Sequence, residues 1–298
     1  MISRRRILGG LAGVAMPAAL AGCGTRRQAA AVPYYTAPAG SVPSYYVPAE
    51  TAAAPQPAGP PAPTAGLDAV IDISHMVEVS DFASIRNSNI LAVVHKATEG
   101  GDWTDPSYAE RRPQAEAAGL LWGAYHFGTR QYSGRDQARA FLAVARPGPN
   151  TLMALDFEPN DPNPRNTMTL AQAEQFVQTI HRETGRLPLV YTHPSWANGA
   201  PYGRHRLSLP QPIAPGSRLA RCDLWLADYR EQPEMPYAWA DRGWRLWQYV
   251  ADQQVGDGAY GEPSRTVAGV THCDRNLFAG NASALYRFWK TRHGNGMA

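Results

Sequence analysis

Residues 151–192, TLMALDFEPNDPNPRNTMTLAQAEQFVQTIHRETGRLPLVYT, decide the fold. They open with TLMALDFE (151–158), a run too short for a helix and apolar on both faces. Such a run suits a parallel strand covered by helices. Thr169 then starts a helix, with Gln172 three residues on to complete a capping box. Ala173, Phe176, Val177 and Ile180 recur at helical spacing on one face. Gly185 stops the helix, Pro188 follows, and LPLVYT (187–192) is a second strand. Strand, helix and strand in this order make a β/α unit.

The alternation continues in both directions. Residues 67–74, 90–98 and 120–127 read as strands before this unit, and 223–229, 244–250 and a short run near 270–274 after it. Ser133 begins another helix, with Ala138, Phe141, Leu142 and Ala145 on one face. Residues 197–220 are Pro- and Gly-rich loop, and helical pattern is poor beyond them. Eight candidate strands predict one β/α barrel. The rival is an open doubly wound sheet, which lacks support because no Gly-rich phosphate loop follows the first strand.

Composition narrows the classes. The chain has 298 residues, 44% of them apolar, which is enough to bury a core and excludes wholesale disorder. No apolar run reaches the roughly 18 residues of a spanning helix, so a polytopic membrane protein is excluded. Three cysteines are too few for a disulfide scaffold. The formal charge of +3 comes from Arg4, Arg5 and Arg6. Without them 25 bases face 25 acids, so the balance gives no argument for a nucleic-acid partner.

Those arginines belong to an address. MISRRRILGGLAGVAMPAALAGC (1–23) has a basic start and a weakly apolar stretch, as in a signal peptide. Ser3 to Leu8 resembles a twin-arginine export signal, and Leu20-Ala21-Gly22-Cys23 resembles a lipoprotein lipobox. The expectation is a signal peptide over 1–22, acylation of Cys23, and a Pro/Ala-rich linker over 23–65. Two or more acyl chains suffice for stable anchoring. Gly24 after the cysteine points to the outer membrane, facing the periplasm, in a two-membrane cell. The linker favours extended backbone, a tether of up to roughly 100 Å. The catalytic or binding domain is then 66–298.

In a β/α barrel, function sits at the C-terminal ends of the strands, and polar residues cluster there. Asp72, Lys96, Tyr125, Asp156, Glu158, Tyr191, Gln248 and Asp274 all fall at such positions. Strand side chains alternate, so Asp156 and Glu158 share one face, with Phe157 opposite. Their Cα atoms lie roughly 6.6 Å apart at a strand's rise. Two carboxylates that close cannot both ionise freely, and a carboxylic acid kept protonated is what glycoside hydrolysis needs. Exposed acids at a loop, or ligands for a divalent cation, are the alternatives. Lys96 is one of two lysines beside 26 arginines, which suggests either a need for the smaller ammonium or a structural pair with an acid.

The motifs Asp72-Ile73-Ser74-His75, Lys96-Ala97-Thr98-Glu99-Gly100 and Gly123-Ala124-Tyr125-His126-Phe127 resemble those of glycoside hydrolase family 25, the Chalaropsis-type lysozymes. So do Asp156-Phe157-Glu158, Tyr191-Thr192, Leu224 to Ala227, Trp247-Gln248-Tyr249 and Asp274 to Phe278, in the same order. The resemblance implies an irregular TIM-like α/β barrel: five β/α units, then three strands. It implies an N-acetylmuramidase that cuts the β-1,4 bond between N-acetylmuramic acid and N-acetylglucosamine in peptidoglycan. By position, Glu158 matches the general acid/base, Asp156 its neighbouring carboxylate, and Asp72 and Asp274 the outer acids. Lys96, Tyr125, Tyr191 and Gln248 would bind substrate. One place departs: His75-Met76-Val77-Glu78 has no Gln or Asn where the family often carries one.

Two other readings remain open: a non-catalytic peptidoglycan-binding lipoprotein, and an endoglycosidase acting on another N-acetylated glycan. No cofactor or metal is expected, since no His-x₃-His or Cys-x₂-Cys spacing occurs. A monomer is expected. Most of the tryptophans, from Trp103 to Trp247, should pack in the core, with one or two serving as sugar platforms. Cys222 and Cys273 should lie beside strands that are not neighbours, which argues against a disulfide.

Overall fold

A computed structural model describes residues 66–251 and 267–291. The expected signal peptide, Cys23 and the linker lie outside these residues.

Eight strands close into a barrel. They are β1 (Leu67–Ile73), β2 (Ala92–Glu99), β4 (Leu121–Phe127), β5 (Leu152–Asp156), β6 (Leu189–Thr192), β7 (Leu224–Ala227), β8 (Trp244–Val250) and β9 (Asp274–Phe278). A two-residue strand, β3 (Trp103–Thr104), pairs antiparallel with the end of β2. From β1 to β8 every barrel pairing is parallel. β9 runs antiparallel to both its neighbours and closes the barrel between β8 and β1.

Helices follow the first five barrel strands: α1 (Phe82–Asn87), α2 (Tyr108–Ala117), α3 (Gly134–Ala145), α4 (Leu170–Thr184) and the single turn α5 (Pro194–Ala197). The three later strands have no α-helix between them among the described residues. Five β/α units followed by three strands is the architecture expected. Local signals act as read: Ser133 caps α3, Thr169 and Gln172 form the full capping box of α4, and Gly185 ends it with φ of 70°.

One strand corrects the sequence reading. The eighth barrel strand was expected near 270–274, with Asp274 at its end. It spans Asp274–Phe278, and Asp274 begins it. Because this strand is reversed, its start lies at the same rim as the ends of the others, and Asp274 pairs in register with Asp72.

Two apolar layers follow from strand alternation. Outward side chains such as Val93, Trp122, Leu155, Val190 and Leu226 pack beneath helix residues such as Phe141, Phe176 and Ile180. Inward ones, including Val70, Val94, Ala154, Leu189 and Leu246, fill the cylinder. The last helix, α6 (Ala282–Thr291), adds Leu285 and Trp289 to that inner cluster, and the Trp289 indole donates to the carbonyl of Trp122 at 2.8 Å. Each such burial contributes about 1.5–3 kcal/mol. With the interior filled, what remains open to chemistry is the opposite rim.

Candidate active site

At that rim, alternation turns one polar side chain inward from nearly every strand. Asp72, Lys96, Tyr125, Phe127, Asp156, Glu158, Tyr191, Trp225, Gln248 and Asp274 line one cavity of about 240 Å³. The eight barrel residues predicted as catalytic or substrate-binding are thus brought together. Glu158 lies two residues beyond the last residue of β5, yet keeps the strand's alternation. Phe157 between the two acids is fully buried and packs edge-on against Trp196 at 5.8 Å, which holds Asp156 and Glu158 on the cavity side.

A hydrogen-bond network fixes the floor. The Gln248 amide nitrogen donates to both oxygens of Asp72, at 3.1 and 3.0 Å, and to Asp274 at 3.4 Å. Its orientation is set because Tyr191 and Tyr229 both donate to its carbonyl oxygen at 2.8 Å. Asn276 donates to Asp72 at 2.8 Å and accepts from the Trp225 indole at 2.6 Å.

Burial dominates the electrostatics. It pushes Asp72 up to about 6, against the hydrogen bonds of Asn276, Gln248 and Asp274. It pushes Glu158 up to about 7, helped by the charges of Asp161 and Asp274 and opposed by Lys96. Asp156 is held well above the usual carboxylate range by burial and by the neighbouring Glu158. Its Oδ1 is buried and accepts no hydrogen bond.

Lys96 is the one cation among the described lining residues. It bonds Glu99 at 2.7 Å, and its ammonium lies 5.0 and 4.9 Å from the ring centres of Trp103 and Phe127. The smaller ammonium therefore sits in an aromatic slot while paired with an acid.

Not every polar residue near a strand end joins the site. Asp228 is buried facing away, bonded to Arg230 and to the backbone of Glu234. His126 packs on Phe176 with ring centres 4.8 Å apart, and its imidazole meets Thr98 and Gln137. Among the described residues no group of three or more His, Cys, Asp or Glu is arranged to hold a metal ion.

Two further cavities, of about 290 and about 430 Å³, flank the central one. Glu158 borders all three. The acid cluster therefore sits midway along a groove rather than at the bottom of a closed pit. Met76 occupies the rim of one flank at the place where the sequence departs from the pattern it otherwise resembles.

Phe127, Asn276 and Tyr202 are lining or supporting residues that escaped the sequence reading. Phe127 and Asn276 lie two residues from Tyr125 and Asp274, so the period of two could have found them. Tyr202, which borders both flanking cavities, lies in the loop 197–220, where no period operates. Of the tryptophans, Trp122, Trp196, Trp225, Trp239, Trp244 and Trp247 are buried. Trp225 lines the central cavity, and Trp103 lies outside the lining against the Lys96 ammonium. Cys222 and Cys273 are buried thiols beside β7 and β9, which β8 separates.

The profile of glycosyl hydrolases family 25 matches residues 71–258. Lysozyme M1 of Streptomyces globisporus is 27% identical over 239 residues, covering 76% of this chain and 72% of that protein. An N,O-diacetylmuramidase of Chalaropsis sp is 31% identical over 143 residues, covering 42% of this chain and 65% of the relative. Among solved structures, a bacterial lysozyme from Streptomyces coelicolor aligns at 25% identity with a TM-score of 0.57, over 77% of this chain and 99% of the other. A muramidase from Acremonium alcalophilum aligns at 26% identity with a TM-score of 0.58, over 74% and 98%.

Proposed function

The chain belongs to glycosyl hydrolases family 25, and from that membership we propose that it is a peptidoglycan hydrolase, a muramidase cutting the β-1,4 bond between N-acetylmuramic acid and N-acetylglucosamine. The observation that carries the chemistry is Glu158. Its carboxyl is pushed up to about 7 at the meeting point of three cavities, so near neutral pH it holds a proton beside open space.

Glu158 gives that proton to the glycosidic oxygen as the bond to C1 breaks. Positive charge develops at C1, and Asp72, whose value of about 6 leaves it largely ionised at pH 7, stabilises it electrostatically together with Asp274. The acetamido oxygen of the N-acetylmuramic acid then closes on C1 to give an oxazolinium ion. Asp156 supports this route, because its Oδ1 is a buried acceptor with no donor and an acetamido N–H supplies one. Water enters, Glu158 takes its proton, and hydroxide adds to C1. The acetamido group reforms and Glu158 is again protonated. Lys96, Tyr125, Tyr191 and Gln248 bind and orient the sugars.

The enzyme works in the cell envelope. Arg4-Arg5-Arg6 and Leu20-Ala21-Gly22-Cys23 support export, cleavage after residue 22 and acylation of Cys23, with 23–65 as tether and 66–298 as the hydrolase. The anchor would hold it on the periplasmic face of the outer membrane. Cys23→Ser should move the protein from membrane to soluble fraction; unchanged sedimentation with membranes refutes the anchor.

Digestion of purified sacculi by the wild type, followed by mass spectrometry, tests the activity. A reducing N-acetylmuramic acid end is expected. Absence of any cleaved bond makes the protein a binder, and a different reducing sugar makes it another endoglycosidase. Glu158→Gln should lower turnover by roughly 10²–10⁴-fold; retention of activity within a few-fold removes Glu158 from the role.

A further inference from the structure

We propose that Tyr202 is a saccharide-positioning platform, holding the apolar face of a pyranose ring beside Glu158 where the two flanking cavities meet. This rests on the hydrolase reading and adds a residue to it.

Tyr202 sits on a small hairpin beyond α5. Its backbone N–H donates to the Leu207 carbonyl at 2.8 Å, and the two residues form an isolated antiparallel bridge. The base is tied by Ala200 N–H to the Ser195 carbonyl at 2.8 Å. The tip is latched across the groove's edge: the Arg204 N–H donates to both oxygens of Asp161, at 3.2 and 3.3 Å. Gly203 makes the latch possible. It has φ of 73°, and a Cβ there would lie 2.8 Å from Asp161 Oδ1.

One face of the Tyr202 ring is covered. His193 stacks on it with ring centres 3.9 Å apart and planes 11° from parallel. The His193 Nδ1 accepts from the Ser195 N–H at 3.1 Å, and burial pushes the imidazole down to about 4, so the backing ring is neutral. Tyr202 itself is half-buried and borders both outer cavities, each shared with Glu158. An aromatic ring backed by a second ring and bordering two polar cavities suits a sugar, which has an apolar C–H face and a hydroxylated rim. Tyr191 and Tyr229 differ, because their hydroxyls are committed to Gln248.

The test uses the full-length protein on purified peptidoglycan. Tyr202→Ala should raise KM at least tenfold while kcat changes less than threefold and the variant still unfolds cooperatively, a few degrees below the wild type at most. Tyr202→Phe should restore most of the lost affinity, since it keeps the ring. His193→Ala should give an intermediate KM. Equal KM for wild type and Tyr202→Ala overturns the platform and leaves the hydrolase reading standing. A Tyr202→Phe defect as large as that of Tyr202→Ala also overturns it, because the hydroxyl would then be the working group. Co-sedimentation with insoluble sacculi, measured in a Glu158→Gln background, decides the platform without turnover. Loss of retention on adding Tyr202→Ala supports it and unchanged retention refutes it, even if the wild type cleaves nothing and the hydrolase reading fails.

Discussion

Asp68 and Asp72 lie four residues apart on β1, and the fold treats them in opposite ways. Alternation alone would put both on one face. A register shift between Asp68 and Val70 breaks that alternation. Asp72 stays inside the barrel mouth. Asp68 meets Arg275 at 2.9 Å and the Tyr249 hydroxyl at 2.7 Å, residues that alternate with the inward-facing Asp274, Asn276 and Gln248. Both acids are buried. Asp68 has a guanidinium against it, so its charge helps hold β1, β8 and β9 together. Asp72, Asp156, Glu158 and Asp274 share a cavity in which the one cation among the described lining residues, Lys96, is already bonded to Glu99. The first set is compensated and structural. The second is governed by burial and by the repulsion of its neighbours, which costs stability and yields a proton donor.

The contrast breaks most easily at Arg275. Arg275→Met takes the guanidinium from a carboxylate that is 3% exposed. It should destabilise the fold by about 3–5 kcal/mol, read from chemical denaturation. Adding Asp68→Asn should recover part of that loss, since the double variant no longer buries a carboxylate that has lost its guanidinium. If the single variant is as stable as wild type, the pair is not structural.

Glu158→Gln should act with the opposite sign. The Glu158 carboxyl has its ordinary value at 4.5 and is raised to about 7 in the fold. Between those values the folded chain holds a proton that the unfolded chain releases. Stability from this group is therefore present in full below pH 4.5 and is lost as pH rises through 7. Gln does not titrate. At pH 8 the variant should be the more stable protein, by on the order of 1–3 kcal/mol, and near pH 4 the difference should vanish. An inactive variant that is also less stable at pH 8 would mean that Glu158 is well solvated or paired.

Activity should follow the same proton. The alkaline limb of kcat/KM is expected near pH 7, where the site loses the proton it must donate. The acid limb belongs to the cluster as a whole, because strongly interacting carboxyls titrate together. Asp72, raised to about 6, is one member of it. A profile still rising at pH 9 would count against Glu158 as the acid.

How much of this was legible in the sequence depends on which interaction set each feature. Parallel strands buried on both faces announce themselves as apolar runs, and polar residues at their ends follow from barrel geometry. That sufficed for the eight barrel residues of the site. Capping residues placed α3 and α4 for the same local reason. Direction was not local. The run at 270–274 carried no sign that the strand following it is reversed, so Asp274 was put at an end and found at a start. The shift at Asp68 was equally hidden, since it depends on pairing with β9. Tyr202 was invisible because its place comes from the Asp161 latch and the His193 stack, contacts that no period encodes.

The finest test of the comparison is Lys96, where the two kinds of acid come closest. Its ammonium lowers the pKa of Glu158 and of Asp156, yet it is bonded to Glu99. If its charge still reaches the cluster, Lys96→Met should raise the Glu158 value further and move the alkaline limb of kcat/KM upward by about 0.5–1 unit. If Glu99 neutralises it, the limb should stay in place. The height of the profile does not decide between these, because Lys96 is also expected to touch substrate, and losing that contact lowers kcat/KM at every pH. The position of the limb does, because it reports proton binding to the unliganded enzyme. Glu99→Gln supplies the complementary reading: it releases the ammonium from its partner, and the same limb should move down. Limbs moving in opposite directions in the two variants would show that the cluster's proton affinity is set by how the surrounding cation is shared.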